Sequence, residues 1–305
     1  MKNKVNVVVC ADKNIEVGLH VTLYTLLENT RSKIKIYLIN NGYAAYDLEA
    51  LHKTLKPFNG FYEIIPISLN ADYFKKLPGF WGNKFIYTRI MIADLVNEER
   101  ILYLDSDLII KVDLADLFNE KLNGKIIGCC LWDKIGKSQE KDFFFSLGMD
   151  LGAPFFSSGL LLMDLNLWRK HDMTNKCLQF ANQYSHKLIG HDQTILNYVL
   201  YNHFHLLKDK YFTRVWPQDK PKEKYLEGRI YHLVGVPKPW DFLGELFHRN
   251  YPLFKKEMQK TYFKRYKSYR NLTLLKLTRA VRLLRTLQLR MIFDKVRFIK
   301  NIFIE

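Results

Sequence analysis

The 305-residue sequence has no run of 18 apolar residues free of charge, so no segment of it reads as a transmembrane helix. It is also poor in cysteine, with only Cys10, Cys129, Cys130 and Cys177, and none of these form a C-x-x-C pair. The vicinal Cys129-Cys130 pair does not easily meet disulfide geometry, so a reducing cytosol is the expected compartment. Glycine-rich phosphate loops are missing as well. There is no G-x-x-x-x-G-K-[ST], no G-x-G-x-x-G after the first apolar run and no G-x-S-x-G. These absences disfavour a P-loop NTPase, a dinucleotide oxidoreductase and an α/β-hydrolase. The start has a basic lead, but its apolar stretch is short and lacks a small-residue cleavage site. It reads as a first β-strand and not as a signal peptide.

What the sequence does contain is charge, unevenly placed. Hydrophobic residues make up 48% and charged residues 26%, enough to bury the core of an enzyme-sized body. The formal net charge is +16. From 255 to 305 there are 15 Lys+Arg against 3 Asp+Glu, a net of +12, which leaves +4 for 1–254. The body is nearly neutral and the basicity belongs to an appendage. In that appendage Leu274, Leu277, Val281, Leu284, Leu287 and Met291 keep helical spacing. Lys276, Arg279, Arg282, Arg285 and Arg290 fall mostly on the other side, an imperfect amphipathic helix suited to a membrane interface. The same basicity would serve a nucleic-acid binder, but no RNA-binding motif accompanies it, and no nucleic-acid partner is expected.

Short β-branched runs alternate with helical patterns in the first half, as in βαβ units over a mostly parallel sheet. Val5–Cys10, Ile34–Asn40 and Tyr62–Ile67 read as strands, and Ile101–Leu104, Ile126–Leu131 and Leu160–Met163 follow at strand length. Val17, Val21, Tyr24 and Leu27 predict an amphipathic helix, and Leu48, Leu51 and Leu55 another. Tyr103-Leu104-Asp105-Ser106-Asp107 delivers two carboxylates to the end of an apolar strand. In extended backbone, residues i and i+2 share a side, so Asp105 and Asp107 can converge on one hard divalent cation. Taken alone, the pair also suits a solvated turn or a helix cap. His232, which precedes Gly235, Lys238 and Trp240, offers a third ligand, and its imidazole favours Mn²⁺ over Mg²⁺. Gly235 permits close backbone approach and Lys238 a charge for phosphate oxygens, though in isolation a turn glycine and a solvated lysine are the better readings.

Taken in order, these segments resemble glycosyltransferase family 8, the retaining enzymes that include bacterial lipopolysaccharide α-galactosyl- and α-glucosyltransferases, over roughly residues 5–250. Cys10-Ala11-Asp12-Lys13-Asn14 is similar to the family's strand-end segment for uracil and ribose, Tyr87-Thr88-Arg89 to its Y-x-R, and Asp105-Ser106-Asp107 to its metal-binding D-x-D. Phe156-Ser157-Ser158-Gly159 is similar to its F-N-[SA]-G segment, with Ser157 in place of the Asn that meets the donor hexose. His191-Asp192-Gln193-Thr194 resembles its D-Q-D block, with Thr194 in place of the second acid, and His232 to Trp240 its H-x-x-G-x-x-K-P-W block.

The resemblance implies an α/β fold of the GT-A, Rossmann-like nucleotide-diphospho-sugar transferase type. It implies a catalytic domain at 1–254, with a nucleotide-binding first half and an acceptor-binding second half, followed by a basic membrane-association tail at 255–305. It implies a retaining, Mn²⁺-dependent (Mg²⁺ possible) hexosyltransferase that uses UDP-galactose or UDP-glucose. The metal ligands would be Asp105, Asp107 and His232. The donor site would be formed by Cys10, Ala11, Asp12, Asn14, Arg89, Asp105, Ser106, Ser157, Ser158, Asp192, Gly235 and Lys238, and Gln193, Asp192 and Arg89 would act at the reacting carbon. The expected acceptor is a lipopolysaccharide or other lipid-linked glycan at the inner face of a bacterial membrane. A protein-linked glycan acceptor is the alternative within the class. Outside it stand a nucleotidyltransferase, disfavoured because the first strand ends without a glycine-rich loop, and a basic nucleic-acid-binding protein.

Overall fold

A computed structural model describes residues 4–79, 83–268 and the positions 277, 278 and 281, with the side chains of 71 and 210 left aside. Among the described residues there are ten strands: β1 (Lys4–Asp12), β2 (Lys33–Asn41), β3 (Tyr62–Ser68), β4 (Arg100–Leu104), β5 (Leu108–Lys111), β6 (Ile127–Lys134), β7 (Pro154–Asp164), β8 (Phe204–Leu206), β9 (Phe212–Val215) and β10 (Arg229–Leu233). Seven of them form one sheet in the order β3-β2-β1-β4-β7-β6-β8, and the other three form a small sheet, β5-β10-β9. β1 runs parallel to both β2 and β4, and β7 is antiparallel to its neighbours β4 and β6. This is the mixed, mostly parallel α/β sheet expected from the sequence. Strand order reverses between β1 and β4, and in open α/β sheets a ligand crevice forms outside the strand ends at such a switch. Asp12 and Asp105 stand at that edge.

The apolar run of β1 is continuous because both of its faces are covered. Val7 and Val9 pack in one core layer with Leu19, Leu23 and Leu26 of α1 (Glu16–Glu28), while Val8 packs in the opposite layer with Tyr87, Tyr103 and Trp168. α1 departs from the amphipathic helix expected of it, since His20, Thr22 and Thr25 are buried too. Thr22 Oγ1 donates to Leu108 O at 2.8 Å and accepts from Leu108 N at 3.0 Å, and Thr25 Oγ1 accepts from Ile110 N at 3.1 Å. His20 Nδ1 lies 2.7 Å from Thr54 Oγ1 of α2 (Ala45–Leu55). The small sheet seats itself on hydroxyls that would otherwise face water.

No helix among the described residues is long and apolar enough to cross a membrane. The helix Tyr251–Met258 runs across position 254, and the chain stays packed on the body to Ser268. Leu253, Phe254 and Met258 share a core with Val17, Tyr231 and Trp240, and Lys260 pairs with Glu28 at 2.8 Å. The Tyr266 hydroxyl donates to Trp240 O at 2.9 Å. The pattern read from Leu274 to Met291 lies outside the described residues, apart from Leu277, Thr278 and Val281.

Two histidines are buried as neutral rings. Burial pushes the His20 imidazole down to about 3 and that of His248 to about 4. Both ring nitrogens of His248, and Nε2 of His20, make no hydrogen bond. The unfolded chain binds protons at these rings below their ordinary value near 6.5, and the folded chain does not, so stability is lost as pH falls. Each ring should cost about 2 kcal/mol between about pH 7 and pH 5. Urea unfolding at the two pH values should show that loss, and His20→Gln should reduce it by roughly one ring's share. An acid loss unchanged in His20→Gln contradicts the assignment.

Candidate active site

Eight stretches of chain line a pocket of 620 Å³ at the carboxyl edge of β1 and β4. The D-x-D pair sits in a turn between β4 and β5, not in the extended backbone expected of it, because the chain leaves one sheet there and enters the other. Three bonds hold the turn: Asp105 N donates to Gly159 O at 2.9 Å, Ser106 Oγ to Cys10 O at 2.9 Å, and Leu233 N to Asp107 O at 3.0 Å. The first tie is to β7, the second to β1 and the third to β10. The turn converges the two carboxylates as the extended form would have done.

One ligand atom from each of Asp105, Asp107 and His232 lies within 4.8 Å of the others. His232 Nε2 stands 3.0 Å from Asp107 Oδ1 and 3.6 Å from Asp105 Oδ2. Asp107 Oδ1 and His232 Nδ1 are buried and make no hydrogen bond. A Cβ added to Gly159 would fall 2.6 Å from His232 Cε1 and 2.7 Å from Asp105 Oδ2, so only glycine leaves the three groups their space. Two carboxylates and an imidazole nitrogen that converge within 4.8 Å fit a divalent cation. The metal expected from the sequence therefore has a suitable donor set.

Fixed cations flank this cluster. Lys238 Nζ lies 2.6 Å from Asp107 Oδ2 and also donates to Leu233 O. Although burial pushes the Asp107 carboxyl up, His232 and Lys238 hold it well below the usual carboxylate range. Arg89 lies buried between two acids, with Nη2 2.8 Å from Asp105 Oδ1 and Nε 3.1 Å from Asp192 Oδ2, and it donates to Ser158 O at 2.7 Å. Burial disfavours its charge, but Asp105 and Asp192 more than offset that and push its pKa up. Burial raises the Asp192 carboxyl, with Arg89 opposing. Gln193 Oε1 accepts from Ser158 N at 3.2 Å, and Asn197 donates to Gln193 O at 2.9 Å, which locks the first turn of the helix Asp192–Val199. Gly235 takes φ +74, and a Cβ there would meet Trp216 at 2.9 Å, so glycine is required on both counts.

Of the residues singled out from the sequence, Cys10, Asp12, Arg89, Asp105, Ser106, Asp107, Ser158, Asp192, Gln193, His232, Gly235 and Lys238 line the pocket. Ala11, Asn14 and Ser157 do not. Ala11, near the end of β1, points into the core, and the Ser157 hydroxyl accepts from Gly159 N at 3.3 Å. Asn14 is exposed; its amide donates to Asp12 Oδ1 at 2.8 Å, and its carbonyl accepts from Trp240 Nε1 at 3.2 Å. Thr194 is buried and donates to Glu140 Oε1 at 2.6 Å. Sequence reasoning gave no site role to Tyr103, Trp132, Trp216, Ile189 and Gly190, all of which line the pocket. Tyr103 was discoverable, since it lies two residues before Asp105 on a strand and its hydroxyl donates to Asp105 Oδ1 at 2.6 Å. The tryptophans carry no signal in spacing.

The model of glycosyl transferase family 8 matches residues 6–244. General stress protein A of Bacillus subtilis (strain 168) is 25% identical over 269 residues, covering 80% of this chain and 92% of that protein. The lipopolysaccharide 1,3-galactosyltransferase of Salmonella typhimurium is 21% identical over 258 residues, covering 79% and 74%. The chain spans only 51% of GlyF and 31% of GlyA, glycosyltransferases of Streptococcus pneumoniae. The crystal structure of galactosyltransferase LgtC in complex with donor and acceptor sugar analogs superposes with a TM-score of 0.69 at 20% identity, covering 84% of this chain and 96% of that one. The shared architecture is the GT-A fold expected from the sequence.

Gly159→Ala tests the cluster, because its methyl group would enter the space between His232 and Asp105. Mn²⁺ affinity, followed by electron paramagnetic resonance, should fall about tenfold or more with the fold intact. Unchanged affinity places the metal elsewhere.

Proposed function

The chain belongs to glycosyl transferase family 8 and is by that membership a glycosyltransferase; we propose that it moves galactose or glucose from a UDP-sugar, with retention, onto a lipid-linked surface glycan. The observation that carries this reading is the cluster of Asp105, Asp107 and His232 at the switch point of the sheet, with Lys238 beside it. Asp105, Asp107 and His232 would hold Mn²⁺ or Mg²⁺. When bound, such an ion supplies Lewis-acid neutralisation of the diphosphate that departs.

The chain's own groups do the rest. Asp12 and Cys10 border the nucleoside end of the pocket. The Lys238 ammonium, held at Asp107 and the Leu233 carbonyl, offers its remaining N–H to a phosphate oxygen, and the Gly235 backbone allows close approach. Arg89 opposes the rise that burial causes in the Asp192 pKa and aims its carboxyl at a sugar hydroxyl, and Ser158 fixes the Gln193 amide beside the reacting carbon. The bond from the anomeric carbon to the UDP oxygen breaks, and the acceptor oxygen bonds to that carbon from the same face. The acceptor proton passes to the departing phosphate oxygen. Front-face attack is favoured over a covalent intermediate on Gln193, because an amide is a poor nucleophile and its oxygen already accepts from Ser158 N.

The acceptor reading draws on the basic appendage. Residues 255–305 carry a net +12, and their root is bonded at Tyr266 to Trp240, in the segment that carries Lys238. Anionic lipid attracts such a segment by about 1 kcal/mol per basic residue near the surface. The enzyme would then work at the cytosolic face of the membrane, beside its acceptor.

A panel of UDP-sugars tested for transfer and hydrolysis with Mn²⁺ should show turnover of UDP-galactose or UDP-glucose, abolished by EDTA. Asp105→Asn and Asp107→Asn should each lower it by about a hundredfold or more. Near-wild-type rates of either variant in EDTA contradict the reading. For the appendage, removal of 269–305 keeps the Tyr266 contact. It should abolish co-sedimentation with anionic vesicles, and unchanged binding contradicts the membrane role.

A further inference from the structure

One buried carboxylate belongs to no part of the mechanism above. Glu140 precedes the helix Lys141–Ser146 and is 5% exposed. It lies outside the pocket wall, and among the described residues no basic side chain pairs with it. A buried carboxylate without a cation is costly unless hydrogen bonds satisfy it. Those bonds all come from one place. Oε1 accepts from Thr194 Oγ1 at 2.6 Å and from Ile189 N at 2.9 Å, and the backbone N–H of Gly190 also donates to the carboxylate. Gly190 fits closely, since a Cβ there would fall 2.9 Å from both Glu140 Oε2 and Thr194 Oγ1.

The segment so gripped forms one wall of the pocket. Ile189, Gly190 and His191 line it immediately before Asp192 and Gln193. His191 adopts φ 54, ψ −120, a conformation that side chains other than glycine rarely take. Strain of that kind persists only where the surroundings fix the residues on both sides. Arg89 holds Asp192 after it, and Glu140 holds Ile189 and Gly190 before it.

We propose that Glu140 and Thr194 form a clamp that fixes the Ile189–Gln193 wall, making Glu140 a positioning residue that sets how Asp192 and Gln193 meet the donor hexose. The clamp stands on the geometry alone; its effect on turnover rests on the UDP-hexose reading of the pocket. Glu140 touches no reacting atom. Loss of the clamp should therefore spare the nucleotide end, where Asp12 and the metal cluster lie, and loosen only the sugar end.

The test uses the full chain with Glu140→Gln, the near-isosteric Thr194→Val, and Thr194→Ser, which keeps the hydroxyl. Hydrogen exchange at Ile189 and Gly190 should rise about tenfold or more in the first two variants and stay at the wild-type rate in Thr194→Ser. In the same two variants, kcat with the UDP-hexose that the wild type uses should fall about tenfold or more while UDP affinity stays within about twofold. Unchanged exchange in Thr194→Val overturns the clamp, as does a parallel loss of UDP affinity and turnover. The exchange arm needs no donor, so a wild-type chain that binds no UDP would sink the reading of the pocket while the clamp is still judged by exchange.

Discussion

Two carboxylates that would repel each other in isolation are held on one turn, and the rest of the site follows from that constraint. Asp105 and Asp107 leave β4 at the edge where strand order reverses, and the turn is tied to β1, β7 and β10 at once. Each acid also receives its own fixed counter-charge, Arg89 for Asp105 and Lys238 for Asp107. The face left between them opens on His232. Like charges at such separation are stable in a buried site only when cations share it. Gly159 makes the arrangement sterically possible, and Tyr103 aims one of the two acids.

Several polar partners of the cluster are themselves linked to one another along the pocket. Arg89 bridges Asp105 and Asp192, and Ser158 joins Arg89 to Gln193. Trp240 closes the far side: its indole donates to the Asn14 carbonyl, and Gly18 leaves room for its ring, where a Cβ would come within 2.5 Å. Tyr266 then bonds the Trp240 carbonyl, so the root of the basic appendage is built into the same wall as the donor pocket. The bonds among Arg89, Asp105, Asp192, Ser158 and Gln193 restrain these groups, while Asp107 Oδ1 and His232 Nδ1 make no hydrogen bond and are free to meet a ligand.

The sheet was largely legible because β-branched runs and their spacing survive in the fold; Asp105 and Asp107 were legible at the end of an apolar strand, and His232 joined them through the order of motifs that resembles the family. The turn that carries it was not, since the apolar run resumes at Leu108 and hides the change of sheet. α1 was misread for a related reason. Thr22 and Thr25 look like an outer face, yet their hydroxyls complete backbone pairing of β5. Glu140 lies in a polar stretch, Ser138 to Asp142, that reads as solvated; only tertiary contact buries it. Ser157 and Asn14 show the converse, matching the family pattern in position while their side chains lie away from the pocket wall.

The central claim is that Asp105, Asp107 and His232 grip one divalent ion that meets a nucleoside diphosphate. Crystals grown with Mn²⁺ and UDP, with diffraction recorded at the manganese edge, test it directly. The account predicts an anomalous peak bounded by those three side chains and touching phosphate oxygens. A pocket that binds UDP with no peak among the three residues would contradict it.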